Sequence, residues 1–374
     1  MKIGIVCYPT FGGSGVVATE LGLSLASKGV EVHFITYKQP VRLDVLSANV
    51  YFHEVHVPEY PLFHFQPYEL ALSSKLVDTV KLYNIDLLHV HYAIPHAYAA
   101  YMAKKMLEDH GISIPIVTTL HGTDITLVGS HPFYKTAVSF SINNSDCVTS
   151  VSENLKKQTI KLFDIKKQIK VIPNFVDFSR HESHNDSCNR ESIASMDQRV
   201  ITHVSNFRPV KRIIDVLKVF EKISEKISSK LIMVGDGPEK IKAEEYCFKN
   251  GLEKRVSFLG KSNQVYEVLC YSDLFLLTSR TESFGLAALE AMMMSVPVIS
   301  TNTGGLPEVN IEGVSGFLFD VGDIEGMSNK SIELLKDSVY LEKMKVSAKK
   351  NAKRFNIDRV LDSYIEVYDE ALNK

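Results

Sequence analysis

Two glutamates, Glu282 and Glu290, have seven residues between them and bracket the start of a predicted helix over residues 284–294. An apolar run at residues 274–277, typical of a buried strand, precedes them. The first turn of a helix offers unpaired N–H groups and the positive end of the helix dipole, which bind anions such as phosphate. Glu290, further along the helix, could accept hydrogen bonds from a sugar hydroxyl. The stretch therefore suits a diphosphate at the helix start and a ribose beside it.

Two small residues in this stretch favour the same interpretation. Ser283 is predicted to cap the helix, and Gly285 lets a ligand approach the backbone closely. A lone pair of glutamates is nevertheless more often an exposed loop residue and an ordinary helix residue. The choice between the two interpretations depends on the rest of the chain.

A basic loop at residues 206–212 follows a second predicted strand and precedes a helix. Its three cations, Arg208, Lys211 and Arg212, could neutralise a diphosphate. An isolated basic run is more often a solvated surface loop. The position favours function here, because ligands of doubly wound sheets bind at the carboxyl ends of the strands.

A glycine-rich loop at residues 12–15 lies between the first predicted strand and the first helix. Exposed N–H groups at such a helix start can hold phosphate. A tight turn between strand and helix explains the glycines equally well. The spacing is not G-x-G-x-x-G, so a nicotinamide dinucleotide is not favoured.

Several histidines invite a ligand. His121 follows an apolar strand and could bind a sugar hydroxyl or phosphate, although a lone histidine is often satisfied by backbone groups. His89, His91 and His96 suggest a metal site, but they lack the diagnostic ligand spacing. No two aspartates stand two residues apart, so a DxD site for a metal-bound diphosphate is absent. The countercharge for a diphosphate would come from helix starts and Lys or Arg side chains, and we expect no metal.

The composition describes a globular protein long enough for two domains, with 374 residues, 45% hydrophobic and 23% charged. A formal net charge of −2 gives no support for a nucleic-acid partner. No stretch reaches the roughly 18 apolar residues of a membrane span. The five scattered cysteines lack C-x-x-C spacing, which is typical of a reducing cytoplasm, and we expect a cytoplasmic protein. A homo-oligomer is compatible with the sequence.

The predicted elements alternate between strands and helices along residues 1–177 and again along residues 199–355. This alternation predicts an α/β protein with two doubly wound, Rossmann-like domains. Residues 178–198 are polar and are interpreted as the connection, and a last helix covers residues 356–374. If the two domains face each other, the loops at the strand ends line an interdomain cleft.

These features together resemble the retaining glycosyltransferases of the GT-B type in family 4. The segment TESFGLAALE, residues 281–290, is similar to the Glu-x7-Glu motif of that family. The loops GGSGV, HGTD, GDGP and GGLPE follow the family order along the chain. The resemblance covers essentially the whole chain and implies the GT-B fold, with an acceptor-binding first domain, a donor-binding second domain and a final helix that crosses back to the first.

The resemblance also implies roles for individual residues. Glu290 would bind the nucleotide ribose, while His121, Lys211 and Glu282 would be catalytic residues at the donor sugar and diphosphate. Further donor contacts are implied at Gly13, Gly15, Asn206, Arg208, Gly237, Leu259, Gly260, Phe284, Gly285 and Leu286. Of these, Leu259 and Gly260 would meet the nucleotide base through backbone groups. The family usually carries an arginine five residues before the lysine. This chain has Asn206 there, and Arg208 could supply the missing charge.

A narrower resemblance concerns the substrates. The runs KIGIVCYP, LLHVHYAIPHA and SNFRPVKR closely resemble the subgroup that joins N-acetylglucosamine from UDP-N-acetylglucosamine to the hydroxyl of L-malate, in bacillithiol biosynthesis. That subgroup implies these two small-molecule substrates and no cofactor. The candidates for binding the acceptor are Ser14, Tyr92 and Thr119.

No carboxylate is placed as a nucleophile, so we expect front-face attack in which the leaving diphosphate oxygen takes the acceptor proton. Three other functions stay open. The first is a UDP-N-acetylglucosamine 2-epimerase. The second is a family 4 transferase with a lipid or inositol phosphate acceptor, and the third is a nucleotide-sugar binder without activity.

Overall fold

Two parallel sheets form the framework of the computed structural model. It describes residues 1–10, 12–59, 64–179, 190, 193–195, 197–262 and 265–374. One unit comprises residues 1–174 with 357–374, and the other comprises residues 175–356. Most of the predicted connection, residues 178–198, lies outside the described residues.

Seven parallel strands form the sheet of the first unit: β1 (Lys2–Val6), β2 (Glu31–Thr36), β3 (Val50–Glu54), β4 (Leu87–His91), β5 (Ile116–Leu120), β6 (Cys147–Ser150) and β7 (Ile169–Val171). Their spatial order is β3-β2-β1-β4-β5-β6-β7. Every residue of β4 and β5 is buried, as expected for central strands of a parallel sheet covered on both faces.

The helices between these strands are α1 (Gly13–Ser27), α2 (Tyr68–Tyr83), α3 (Tyr98–Glu108), α4 (Pro132–Asn143) and α5 (Glu153–Leu162). Helix α5 is capped by the Ser152 hydroxyl, which accepts from the N–H of Leu155. Two short π-type turns at Ala93–Ala97 and Thr123–Leu127 follow β4 and β5. They shape the loops that carry the candidate histidines.

Six parallel strands form the sheet of the second unit: β8 (Arg199–Val204), β9 (Ser229–Val234), β10 (Val256–Gly260), β11 (Leu274–Leu277), β12 (Val298–Thr301) and β13 (Gly316–Phe319). Their spatial order is β10-β9-β8-β11-β12-β13. Its helices are α6 (Ile213–Ser224), α7 (Lys240–Lys249), α8 (Val265–Cys270), α9 (Leu286–Met293), α10 (Leu306–Val309), α11 (Ile324–Lys336) and α12 (Ser338–Ala352).

The last helix, α13 (Ile357–Leu372), belongs to the first unit. Its apolar face is buried there, and two of its tyrosines, Tyr364 and Tyr368, are fully buried. The Tyr368 hydroxyl lies 2.9 Å from Nδ1 of His89 on β4 and is hydrogen-bonded to it. The chain therefore returns to the first unit at its end. The predicted α/β class with two Rossmann-like sheets is confirmed.

Two local features differ from what the sequence suggests. The helix expected from residue 284 begins at Leu286, and its N-cap is Gly285 with φ of +97°, so Ser283 is not the N-cap. A positive φ favours glycine at this position over serine. Cys270 is disulfide-bonded, whereas the scattered cysteines of the sequence are typical of a reducing cytoplasm.

In each sheet the chain order reverses at one place, between β1 and β4 in the first unit and between β8 and β11 in the second. Ligands of open parallel sheets bind outside the carboxyl ends of the strands at such a switch point. The glycine loop follows β1, the basic loop follows β8, and the segment with Glu282 follows β11. The topology thus places the predicted motifs where this rule expects a ligand.

Candidate functional site

Lys211 and Glu282 form an ion pair at the switch point of the second unit. The Lys211 Nζ lies 2.5 Å from Oε1 of Glu282, and the Ser279 hydroxyl donates to the same oxygen at 2.8 Å. The hydroxyl of Thr278, at the end of β11, donates to the Lys211 carbonyl at 3.2 Å. The pairing of β8 with β11 therefore brings together two charges that are far apart in sequence.

The start of α9 lies directly after this pair. Gly285 adopts its positive φ beside Leu306, where an added Cβ would stand 2.5 Å from Cδ2. The Phe284 side chain is 3% exposed, and its ring packs edge-on against Phe355 at 5.6 Å. These contacts fix the backbone whose first N–H groups, including that of Leu286, are available to an anion.

Glu290 lies on the fifth position of α9 and is 7% exposed. Its Oε1 accepts a hydrogen bond from the hydroxyl of Tyr266 on α8 at 3.0 Å. A carboxylate can accept about four hydrogen bonds, of which the Tyr266 hydroxyl supplies one. The sequence singled out Glu290 as a candidate and gave Tyr266 no role.

The three cations of the basic loop have different surroundings. The Nε of Arg212 donates to Asp215 Oδ2 at 2.6 Å. Arg208 is exposed, whereas Lys211 pairs with Glu282 as described above. Asn206 is exposed too, and an added Cβ at Gly237 would stand 2.1 Å from its carbonyl oxygen. The two predicted donor residues Asn206 and Gly237 are therefore in backbone contact, which only glycine allows.

The end of β10 lies close to the same loops. The N–H of Gly235 donates to the carbonyl of Gly260 at 2.7 Å, and Gly260 has a φ of +70°. Leu259 is 48% exposed. The two residues predicted to meet a base through their backbone thus lie beside the loop that follows β9.

In the first unit the glycine loop is the start of α1, which begins at Gly13. The Ser14 hydroxyl and the Tyr92 hydroxyl are hydrogen-bonded at 2.6 Å. An added Cβ at Gly15 would stand 2.5 Å from the Tyr8 carbonyl, so only glycine lets α1 approach the end of β1 this closely. The structure brings together two of the three predicted acceptor residues.

The third predicted acceptor residue, Thr119, lies inside the sheet. Its side chain is fully buried, and its hydroxyl is bonded to His89 Nε2 at 2.8 Å and to the Thr149 hydroxyl at 2.7 Å. Both faces of β5 are covered, which a sequence motif does not reveal. The Thr119 side chain therefore has no exposed surface, and its acceptor role stays a prediction.

His121 is 9% exposed, and its Nε2 is hydrogen-bonded to Nδ1 of His91 at 2.8 Å. Burial, together with the neighbouring His96, lowers the pKa of His121 to about 3. The imidazole is therefore neutral at physiological pH and can act as a hydrogen-bonding group, not as a cation. Its other ring nitrogen, Nδ1, does not take part in this bond.

Asp124 holds the loop around His121 in place. Its two oxygens accept from the N–H groups of Ala93 at 2.8 Å and Gly122 at 2.9 Å. Burial raises the pKa of the Asp124 carboxyl to about 6, and the N–H donors oppose this by favouring the ionised form. Sequence reasoning gave Asp124 no role, although it belongs to the HGTD motif.

The comparisons with known proteins cover the whole chain. Residues 11–180 match the family described as Glycosyltransferase Family 4, and residues 187–355 match Glycosyl transferases group 1. The N-acetyl-alpha-D-glucosaminyl L-malate synthase of Bacillus anthracis is 45% identical over 100% of this chain and 97% of its own. The chain belongs to glycosyltransferase family 4.

Two further matches are more distant in sequence. The GPI3 subunit of phosphatidylinositol N-acetylglucosaminyltransferase from Saccharomyces cerevisiae is 27% identical over 90% of this chain and 76% of its own. The solved structure of Anabaena HepE with UDP and glucose superposes with a TM-score of 0.80 at 21% identity, covering 99% of both chains. The fold is therefore that of the GT-B glycosyltransferases, as the sequence predicts.

Two further features of this glycosyltransferase concern a metal and a membrane. Among the described residues, no group of three or more His, Cys, Asp or Glu side chains is arranged to hold a metal ion. The part of the chain that the structure describes has no helix both long and apolar enough to cross a membrane.

Proposed function

We propose that this glycosyltransferase transfers N-acetylglucosamine from UDP-N-acetylglucosamine to the hydroxyl of L-malate, the first step of bacillithiol biosynthesis. The observation that carries the proposal is the 45% identity, over the full chain, to a protein named for this product. The reaction would take place in the cytoplasm. A homo-oligomer is compatible with the proposal, and light scattering of the purified chain would measure the oligomeric state.

The donor would be bound by the second unit. Glu290 would accept hydrogen bonds from the ribose, and the first N–H groups of α9 would bind the diphosphate. Lys211 would neutralise negative charge on the leaving diphosphate, because that charge increases in the transition state. Because Lys211 is paired with Glu282, the diphosphate would compete with that carboxylate for the ammonium. Arg208, which is exposed on the same loop, would be a second cation for the diphosphate.

The acceptor and the donor sugar would be bound by neutral groups of the first unit. Ser14 and Tyr92 would donate hydrogen bonds to malate, and His121 would bind a donor-sugar hydroxyl through Nδ1. We propose front-face attack with retention, in which a leaving phosphate oxygen takes the malate proton while the new glycosidic bond forms. The proposed phosphate ligands are N–H groups and an ammonium, which supply the countercharge without a metal.

The test uses the purified full chain with UDP-N-acetylglucosamine, with and without L-malate, in the presence of a chelator. We expect malate-dependent UDP release, a product with the mass of glycosylated malate, and an α-anomeric signal by NMR. Donor hydrolysis that does not depend on malate, with no glycosylated malate, would refute the proposal. An inverted anomer would refute retention, and loss of activity with the chelator would refute metal independence.

The same assay separates the alternatives. Formation of the manno epimer from the donor alone would indicate a 2-epimerase. Because one relative is named for a phosphatidylinositol acceptor, an inositol phosphate and phosphatidylinositol vesicles belong in the acceptor panel. Nucleotide-sugar binding without turnover over the whole panel would indicate a binding protein.

A further inference from the structure

A tyrosine on a neighbouring helix holds the carboxylate of Glu290. The Tyr266 hydroxyl donates to Oε1 of Glu290 at 3.0 Å, and both residues are 7% exposed. An ionised carboxylate only accepts hydrogen bonds, so the phenol is the donor. The contact joins α8 to α9 in the second unit.

This contact limits the freedom of a flexible side chain. A glutamate loses rotamer entropy when its side chain is fixed, and a hydrogen bond to a charged group offsets that loss. The Tyr266 bond therefore fixes the Glu290 carboxylate before any ligand binds. Ligands bind more tightly to groups that are already in the bound geometry.

Tyr266 stands in the chain between two predicted contact regions of the nucleotide. Helix α8 follows the end of β10, where Leu259 and Gly260 are the proposed contacts of the base. Helix α9 carries Glu290, the proposed contact of the ribose. Along the chain, Tyr266 thus lies between the predicted contacts of the base and the predicted contact of the ribose.

We propose that Tyr266 is a positioning residue for nucleotide binding, which orients Glu290 toward the 2′- and 3′-hydroxyls of the ribose. This inference rests on the proposed use of a UDP-sugar. Tyr266 acts through Glu290 and does not touch the reacting atoms. It therefore contributes to donor affinity and leaves the rate of the bound complex nearly unchanged.

The test is Tyr266→Phe, which removes one hydroxyl and keeps the ring that packs in the core. Calorimetry would compare UDP with 2′,3′-dideoxyuridine diphosphate, which lacks both ribose hydroxyls. We expect the Kd for UDP to rise about tenfold and the Kd for the dideoxy compound to rise less than about twofold. The donor KM should rise in parallel with the Kd for UDP, while kcat changes less than about twofold.

Tyr246→Phe is the matched control. The Tyr246 hydroxyl also donates to a glutamate of the second unit, Glu221 Oε2, at 2.5 Å. Its α7 helix is not one of the proposed nucleotide contacts. We expect Tyr246→Phe to leave both dissociation constants unchanged. If it weakens UDP binding as much as Tyr266→Phe does, the effect is a general loss of stability and the proposal is overturned.

A double-mutant cycle with Glu290→Gln tests whether Tyr266 acts through Glu290. The two losses should be strongly non-additive for UDP, since each substitution disrupts the same contact to the ribose. Additive losses, or an equal loss for UDP and the dideoxy compound, would overturn the proposal. Its failure is distinguishable from failure of the proposed function, because the latter would appear as absence of malate-dependent transfer by the unsubstituted chain.

Discussion

Replacing Lys211 with methionine removes the ammonium and keeps a side chain of similar length. Glu282 would then keep its hydrogen bond from Ser279 at 2.8 Å and lose its ion pair at 2.5 Å. Breaking a buried ion pair from one side costs about 3–5 kcal/mol, and an exposed pair contributes at most about 1 kcal/mol. The Lys211 and Glu282 side chains are 19% and 12% exposed. We therefore expect a loss of about 2 kcal/mol.

Calorimetry of thermal unfolding measures this loss. A change of 1 kcal/mol lowers the Tm of a unit of this size by about 2–4 °C, so a decrease of about 4–8 °C is expected for the second unit. Turnover should fall about 10²–10³-fold, the usual loss when one group that stabilises developing negative charge is removed. UDP release in the presence of malate measures the turnover.

The double variant Lys211→Met/Glu282→Gln separates the two effects. It removes the uncompensated carboxylate, so it should recover at least about half of the lost stability, while turnover stays low because the cation is still missing. A Tm for Lys211→Met equal to that of the unsubstituted chain would contradict the argument from the ion pair. Turnover recovered together with stability would show that Lys211 acts only on the fold.

Three further results are expected. Gly15→Ala should destabilise the first unit by about 1–3 kcal/mol, since its Cβ would stand 2.5 Å from the Tyr8 carbonyl; unchanged thermal unfolding would contradict this. Tyr92→Phe breaks the bond to Ser14 and should raise the malate KM several-fold with the donor KM unchanged, whereas an effect on the donor alone would oppose an acceptor role. Burial lowers the pKa of His96 to about 4, so the unfolded chain binds more protons and stability falls as the pH drops below about 6.5. His96→Gln should reduce the loss between pH 7 and pH 5, in urea unfolding, by up to about 2 kcal/mol, and an unchanged loss would exclude His96 as a titrating group.

The fold could be predicted because each level of the sequence indicates the same answer. Apolar runs ending in glycine or basic loops predict parallel strands, and the helices between them predict crossover connections. The contact between Lys211 and Glu282 needs more information, because it depends on β8 lying next to β11 in the sheet. Chain order alone gives the strands without their spatial order.

The features that sequence reasoning did not foresee have local physical causes. Ser283 is a favourable capping residue, but the backbone turns with a positive φ at Gly285, and the helix starts after it. Thr119 is polar and precedes the HGTD motif, but a central strand of a parallel sheet is covered on both faces. Its hydroxyl therefore contacts His89 and Thr149 in the interior. Tyr266 was missed because a tyrosine beside apolar residues is typical of the core.

The two units differ in how their candidate residues carry charge. In the second unit the proposed diphosphate contacts include Lys211 and the start of α9, both of which compensate negative charge. In the first unit His121 is neutral at physiological pH because burial lowers its pKa, and the Ser14–Tyr92 pair is also neutral. Charge stabilisation of the leaving diphosphate would therefore come from the second unit. The described contacts of the first unit would select the acceptor by hydrogen bonds, because a wrong ligand that leaves a buried polar group unpaired costs about 1–3 kcal/mol.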